Sequence, residues 1–222
     1  MLHVAAFLFD MDGTLVDSTA VVENEWHRFS NQFGLDAREV IAYAHGRQTL
    51  DTVVHFIGDN DEARAAAEEL DARELIILDG IVAIAGAETL LSRLPDDRWA
   101  LVTSASRQLA ENRMRAAGLP LPAVMICAED VRDGKPSPEG YLKAAEQLGY
   151  SAGECLVLED AAAGIRAGNA SGARVIAVVP DANGAQEAFA RSTLANLNVT
   201  PEGDGFRVSK KSEDCPSPRP SP

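Results

Sequence analysis

The chain has 222 residues, 46% of them hydrophobic, which suits one substantial domain or a core with a small insertion. Its formal charge of −14 argues against nucleic acid or an anionic membrane surface as a partner, since both require a basic face. With that charge, any anionic ligand would have to be drawn in locally, by a few placed positive charges.

The first element is the apolar run Val4–Phe9, which ends abruptly at Asp10-Met11-Asp12-Gly13. Such a run reads as a central strand buried on both faces of a parallel sheet. In open α/β sheets ligands bind beyond the carboxyl ends of the strands, where both aspartates would lie. Gly13 permits a sharp turn and leaves space beside Asp10. The run is too short for a signal-peptide core and an acid follows at once, so neither export nor membrane insertion is expected.

After Asp17-Ser18 the pattern becomes helical. Val22, Trp26, Phe29 and Phe33 recur at spacings of four, three and four, and Gly34 closes that helix. Asp36 and Glu39 start a second helix through Ala44. Leu50, Val53, Val54 and Ile57 define a third, stopped by Gly58, and the Ala-, Glu- and Arg-rich stretch Asp61 to Leu78 a fourth. Four helices in succession are too many for one strand-to-strand crossover. The spacing therefore predicts an all-helical insert, entered near Val16 and left near Ile81 to Gly86.

From Gly86 strands and helices alternate. Helices are expected over Ala87–Leu94, Arg107–Ala117, Pro138–Leu148 and Ala162–Ala170, with strands at Trp99–Thr103, Val124–Cys127, Cys155–Leu158 and Arg174–Val179. This alternation predicts an α/β fold with a doubly wound parallel sheet. Gln186–Leu194 reads as a further helix and Phe206–Val208 as an edge strand. The Pro-rich tail from Lys210 has nothing apolar to bury and is expected to lack order. Cys127, Cys155 and Cys215 show no metal-ligand spacing and read as reduced thiols of a cytoplasmic protein.

Three later strand ends also carry polar residues. Thr103-Ser104 offers a hydroxyl and a free backbone N–H suited to phosphate oxygens, although alone it is an ordinary helix cap. Gly134-Lys135-Pro136 points one cation from a rigid turn. Glu159-Asp160 places two acids at the end of an apolar strand, as a Mg²⁺ site would.

Asp10-x-Asp12-Gly13-Thr14-Leu15-x-Asp17-Ser18, then Thr103, Lys135-Pro136 and Glu159-Asp160, in that order, resemble the four motifs of the haloacid-dehalogenase-like phosphatases. The resemblance spans positions 7 to about 164. It is nearest to bacterial hexose and hexitol phosphate phosphatases, with β-phosphoglucomutase more distant. It reaches into the insert, where His45-Gly46-Arg47-Gln48 is similar to a cap signature, and covers Ala128-Glu129-Asp130-Val131. Two departures are Ala85-Gly86, where relatives have Pro-Gly, and Ala161, where a serine is frequent. The resemblance implies a Rossmann-like core of residues 1–15 and 82–209, a helical cap of residues 16–81, and a tail of residues 210–222.

The same resemblance implies roles. Asp10 is expected to be the nucleophile that forms an aspartyl phosphate, and Asp12 the general acid and base. Lys135, Thr103 and Ser104 are expected to hold the phosphate, and His45 and Arg47 to contact the substrate from the cap. Mg²⁺ is expected on Asp10, the backbone carbonyl of Asp12, Asp160 and Glu159. The implied activity is phosphatase action on small sugar or polyol phosphates by a cytoplasmic monomer, with no nucleic acid and no membrane. A phosphosugar mutase and a non-catalytic module that binds a phosphorylated ligand remain as alternatives.

Overall fold

The computed structural model describes residues 1–178 and 191–211. Its first finding corrects the expected single N-terminal strand. Leu2–Val4 (β1) and Ala6–Phe9 (β2) are separate, joined through Ala5, whose N–H donates to the Glu154 carbonyl at 2.8 Å. Along β2 the side chains alternate between two cores: Phe7 and Phe9 enter one, Ala6 and Leu8 the other. Both faces are thus covered, which explains the unbroken apolar run.

Past β2 the chain makes a two-residue strand, Val16–Asp17 (β3), and enters four helices: Thr19–Phe33 (α1), Ala37–Ala44 (α2), Thr49–Ile57 (α3) and Asp61–Glu74 (α4). Gly34 ends α1 with φ 65°, and Asp36 caps α2 by accepting from the Arg38 N–H at 2.8 Å. The helices pack on one another around Trp26, Phe29, Val40, Val53 and Leu70, apart from the cores of the sheet. The fourth helix stops at Glu74, four residues before the expected Leu78; Ile76, beyond it, is largely exposed. The chain returns through Val82–Ala83 (β4), which pairs antiparallel with β3 and brings the two ends of the insert together.

The remaining units run Ala87–Leu91 (α5), Trp99–Val102 (β5), Arg107–Ala116 (α6), Val124–Ile126 (β6), Glu139–Gln147 (α7), Cys155–Glu159 (β7), Ala162–Ala170 (α8), Arg174–Val178 (β8) and Arg191–Ser192 (β9). They form a parallel sheet of order β6-β5-β2-β7-β8-β9. The chain moves outward from β2 through β5 to β6, then crosses to β7 on the other side. That reversal puts a topological switch point beside the carboxyl end of β2, where doubly wound sheets bind ligands.

The C-terminal part departs most from expectation. Arg191–Ser192 is strand, not helix, and residues 186–190 of the expected helix lie outside the described residues. Leu197–Glu202 (β10), not foreseen, forms a hairpin with Gly205–Lys210 (β11). β1 pairs with the other side of β11, so the expected edge strand is the middle of a three-stranded sheet. Lys210 therefore belongs to a strand; residues 212–222, with Cys215, lie outside the described residues. Cys127 and Cys155 are free and buried, and burial pushes their thiols up to about 12 and about 11. No described helix is long and apolar enough to cross a membrane.

Candidate active site

The site forms where β2, β5 and β7 end. Asp10 leaves β2 with its N–H bonded to the Leu158 carbonyl at 3.0 Å, which holds it against β7. The next residues turn tightly, with the Leu15 N–H on the Met11 carbonyl and the Gly13 N–H on that of Val16. Gly13 has φ +83°, and a Cβ there would stand 2.0 Å from Asp160 Oδ2. The space the glycine leaves thus serves Asp160, whereas the sequence pointed to Asp10.

Beneath the turn lies a buried ionic cluster. The Lys135 ammonium donates to Asp10 Oδ1 at 2.5 Å, to Glu159 Oε1 at 2.7 Å and to the Val102 carbonyl at 3.1 Å. All three of its protons are therefore placed. Glu159, fully buried, also accepts from the Tyr141 hydroxyl at 3.2 Å and from the Ala161 N–H at 2.9 Å. Asp160 accepts from the Thr14 hydroxyl at 3.3 Å. Gly164 leaves room for Glu159, since a Cβ there would fall 1.5 Å from Oε1.

Charge in this cluster is unbalanced. Ligand oxygens of Asp10, Glu159 and Asp160 lie within 4.8 Å of one another, and Lys135 is the cation bonded to two of them. Burial pushes the Asp10 carboxyl well above the usual carboxylate range; Lys135 opposes the shift, while Glu159 and Asp160 add to it. Burial and the Glu159 charge raise Asp160 to about 7 against the pull of Lys135. Burial acts to lower the Lys135 ammonium, but the charges of Asp10 and Glu159 outweigh it and hold it well above its ordinary value. Three carboxylates against one ammonium make an all-oxygen set short of positive charge. Such a set fits a hard dication.

Other expected residues lie around the same cavity. Asp10, Asp12, Thr103, Ser104, Asp160, His45 and Arg47 all line it, while Lys135 and Glu159 stand behind Asp10. Thr103 continues β5, its N–H on the Ile126 carbonyl at 2.9 Å and its hydroxyl accepting from the Ala105 N–H at 3.1 Å. The Ser104 hydroxyl donates to the Gly46 carbonyl at 2.9 Å, and Gln48 donates to the Ala128 carbonyl at 3.3 Å. The turn between α2 and α3 is thereby fastened to the sheet side of the cavity. Gly46 has φ +75° and approaches so closely that a Cβ would stand 2.7 Å from that of Ala161. The small Ala161 side chain is thus a packing surface for the turn. Arg47 lies over the Tyr43 ring, 4.3 Å from its centroid, and Tyr43 stacks on His55.

Asp12 has partners that the sequence did not reveal. Its Oδ1 accepts from the Ser18 hydroxyl at 2.6 Å and from Arg113 Nη1 at 2.9 Å. Arg113 Nη2 donates in turn to Glu74 Oε2 at 2.7 Å. Arg113 is 2% exposed although its helix is polar overall. The signal was positional: Leu109, Ala110, Arg113 and Met114 share the buried face of α6, as Ala67, Leu70 and Glu74 do on α4. Burial raises Glu74 to about 7, with Arg113 opposing and Asp12 adding.

Comparison with known proteins supplies the remaining observation. The model of the haloacid dehalogenase-like hydrolases matches residues 4–172. Hexitol phosphatase A of Escherichia coli is 46% identical over 181 residues, covering 80% of this chain and 84% of its own. Glycerol-1-phosphate phosphohydrolase 2 of Saccharomyces cerevisiae is 36% identical over 80% of this chain and 75% of its own. Among solved structures, the β-phosphoglucomutase of Clostridium difficile superposes with a TM-score of 0.75 over 88% of this chain and 93% of its own, at 22% identity. That likeness is one of fold.

Proposed function

This chain belongs to the haloacid dehalogenase-like hydrolases, and on that premise we propose that it is a Mg²⁺-dependent phosphatase of small sugar or sugar-alcohol phosphates. The observation that carries the reading is Asp10 itself. It lines the cavity, is bonded from behind by Lys135, and has Asp160 and Asp12 beside it. The 46% identity to a hexitol phosphatase favours hydrolysis of a polyol or sugar phosphate over mutase action.

Mg²⁺ would be held by Asp10, Asp160 and the backbone carbonyl of Asp12, and would neutralise phosphate oxygens. Both oxygens of Glu159 are engaged by Lys135, Tyr141 and the Ala161 N–H, which fits support of the cluster better than a direct bond to metal. In the first step Asp10 attacks phosphorus as the bond to the sugar oxygen breaks, and Asp12 gives that oxygen its proton. Asp12, then a carboxylate, takes a proton from water while the water oxygen attacks the aspartyl phosphate. The bond to Asp10 breaks and phosphate leaves. Thr103 and the Ser104 N–H hold the phosphate oxygens through both steps, while Lys135, bonded to Asp10 and Glu159 from behind, offsets charge between Asp10 and the phosphate.

Residues 1–15 and 82–209 form the core in this reading, and residues 16–81 a cap that hinges at the paired strands β3 and β4. His45 and Arg47 on the cap turn read the substrate's hydroxyls and complete a water-poor site on closure. Every proposed group comes from one chain, so a monomer suffices, and two free buried thiols accord with the cytoplasm. Phosphate release from hexose, hexitol and deoxyhexose phosphates, with and without Mg²⁺, tests the proposal. Mg²⁺-dependent release supports it. Isomer interconversion without release indicates a mutase, and binding without turnover a non-catalytic module.

A further inference from the structure

We infer that Arg113 is a positioning residue that sets the carboxylate of Asp12 and, through Glu74, ties that setting to closure of the helical insert. The inference rests on the acid and base role proposed for Asp12. Three separate elements meet at one guanidinium: Asp12 from the turn after β2, Arg113 from α6 and Glu74 from the end of α4. The planar fork of arginine reaches the two carboxylates through two separate nitrogens, Nη1 to Asp12 and Nη2 to Glu74.

Both donors to Asp12, Arg113 and Ser18, take Oδ1, and Oδ2 makes no hydrogen bond among the described residues. Asp12 keeps 29% of its side chain exposed and lines the cavity. One oxygen is thus clamped while the other is left to carry a proton to and from the reacting atoms. Arg113 Nε is buried with no hydrogen-bond partner among the described residues, while its two terminal nitrogens bridge Asp12 and Glu74.

The link to the insert has a second strand. Asn112, next to Arg113, donates from Nδ2 to the Leu75 carbonyl at 3.2 Å. Consecutive residues of α6 therefore grip the last turn of α4, one through its side chain and one through its backbone. Both bonds exist only while the insert lies against the sheet side of the cavity. If the insert swings away, Arg113 loses one of its two carboxylates and gains access to water. Closure thus completes the pair that orients Asp12.

The test compares Arg113→Met, Arg113→Lys, Glu74→Gln and Asp12→Ala on a hexitol phosphate and on para-nitrophenyl phosphate, with intact-mass detection of the phosphorylated chain. Arg113→Met is expected to lower kcat on the hexitol phosphate roughly 10²-fold, the cost of a displaced catalytic group. It should retain a nitrophenol burst and accumulate phosphoenzyme, as Asp12→Ala should. Arg113→Lys is expected to recover part of the turnover, and Glu74→Gln to raise KM for the hexitol phosphate more than it lowers kcat. These two variants carry the test if Arg113→Met does not fold. Equal loss of burst and turnover in the Arg113 variants, or parent behaviour, overturns the inference. If Asp12→Ala accumulates phosphoenzyme and no Arg113 variant does, the positioning role falls while the Asp12 assignment stands. If Asp12→Ala itself accumulates none, the fault lies in the assignment of Asp12.

Discussion

The carboxylate of Asp160 occupies the space that a side chain at position 13 would need: a Cβ on Gly13 would lie 2.0 Å from Asp160 Oδ2 and 2.5 Å from its Cγ. Position 13 also has φ +83°, where L side chains are strained. Gly13→Ala is therefore expected to push Asp160 out of the acidic cluster, destabilise the fold by about 1–3 kcal/mol, and raise the Mg²⁺ concentration needed for activity. Thermal melts and Mg²⁺ titrations check this. A normal Mg²⁺ requirement in a folded variant would separate Asp160 from the metal.

The raised carboxyl of Asp160 gives a pH test with a definite sign. Its folded value, about 7, lies above the ordinary 3.8, so between these the folded protein binds a proton that the unfolded chain has released. Stability of the metal-free protein should thus fall as pH rises from about 4 to about 7 and level off above. Asp10 and Glu74, also raised, add to the same fall, so Asp160→Asn should reduce that slope without abolishing it, and Mg²⁺ should raise Tm more at pH 7.5 than at pH 5. A Mg²⁺ effect independent of pH, or an unchanged slope in Asp160→Asn, would contradict the assignment.

Lys135 neutralises two buried carboxylates, so its removal leaves both uncompensated. Lys135→Met should abolish turnover and destabilise the metal-free protein by about 3–5 kcal/mol. Denaturant melts with and without Mg²⁺ measure this, and added Mg²⁺ should restore part of the loss. A variant as stable as the parent would show that the pair contributes nothing net.

Arg47 lies on the turn fastened to the sheet side by the Ser104–Gly46 and Gln48–Ala128 bonds. Arg47→Ala should raise KM for sugar phosphates and change that for para-nitrophenyl phosphate far less, because the aryl ester has no hydroxyls to read. Equal losses on both substrates would place Arg47 in phosphate binding or folding.

The strand-end acids were legible in the sequence because they follow apolar runs in an order, with Thr103 and Lys135 between them, that resembles one family's motifs, and Asp10, Asp160 and Lys135 do converge. The helices of the insert were legible from periodicity, with Gly34 and Gly58 ending α1 and α3 as expected. Arg113 and Glu74 were hidden because charged residues in Arg- and Glu-rich helices read as solvent-facing; only their register with Leu109 and Leu70 marks them as buried. The three-stranded sheet was hidden for another reason. Leu2 pairs with Val208, far along the chain, and in β10 only Leu197 and Val199 alternate with polar residues before Pro201 breaks the pattern.

Stopped-flow release of nitrophenol from para-nitrophenyl phosphate separates phosphorylation of Asp10 from proton transfer by Asp12. Para-nitrophenolate leaves without a proton, whereas hydrolysis of the intermediate still needs a base, worth ~10²–10⁴ in rate. Asp12→Ala should give a burst of about one nitrophenol per enzyme, then slow turnover, with the phosphorylated chain seen by intact mass. Asp10→Asn should give neither burst nor turnover. An Asp12→Ala enzyme that shows no burst and hydrolyses sugar phosphates at the parent rate would exclude Asp12 as the group that moves the protons.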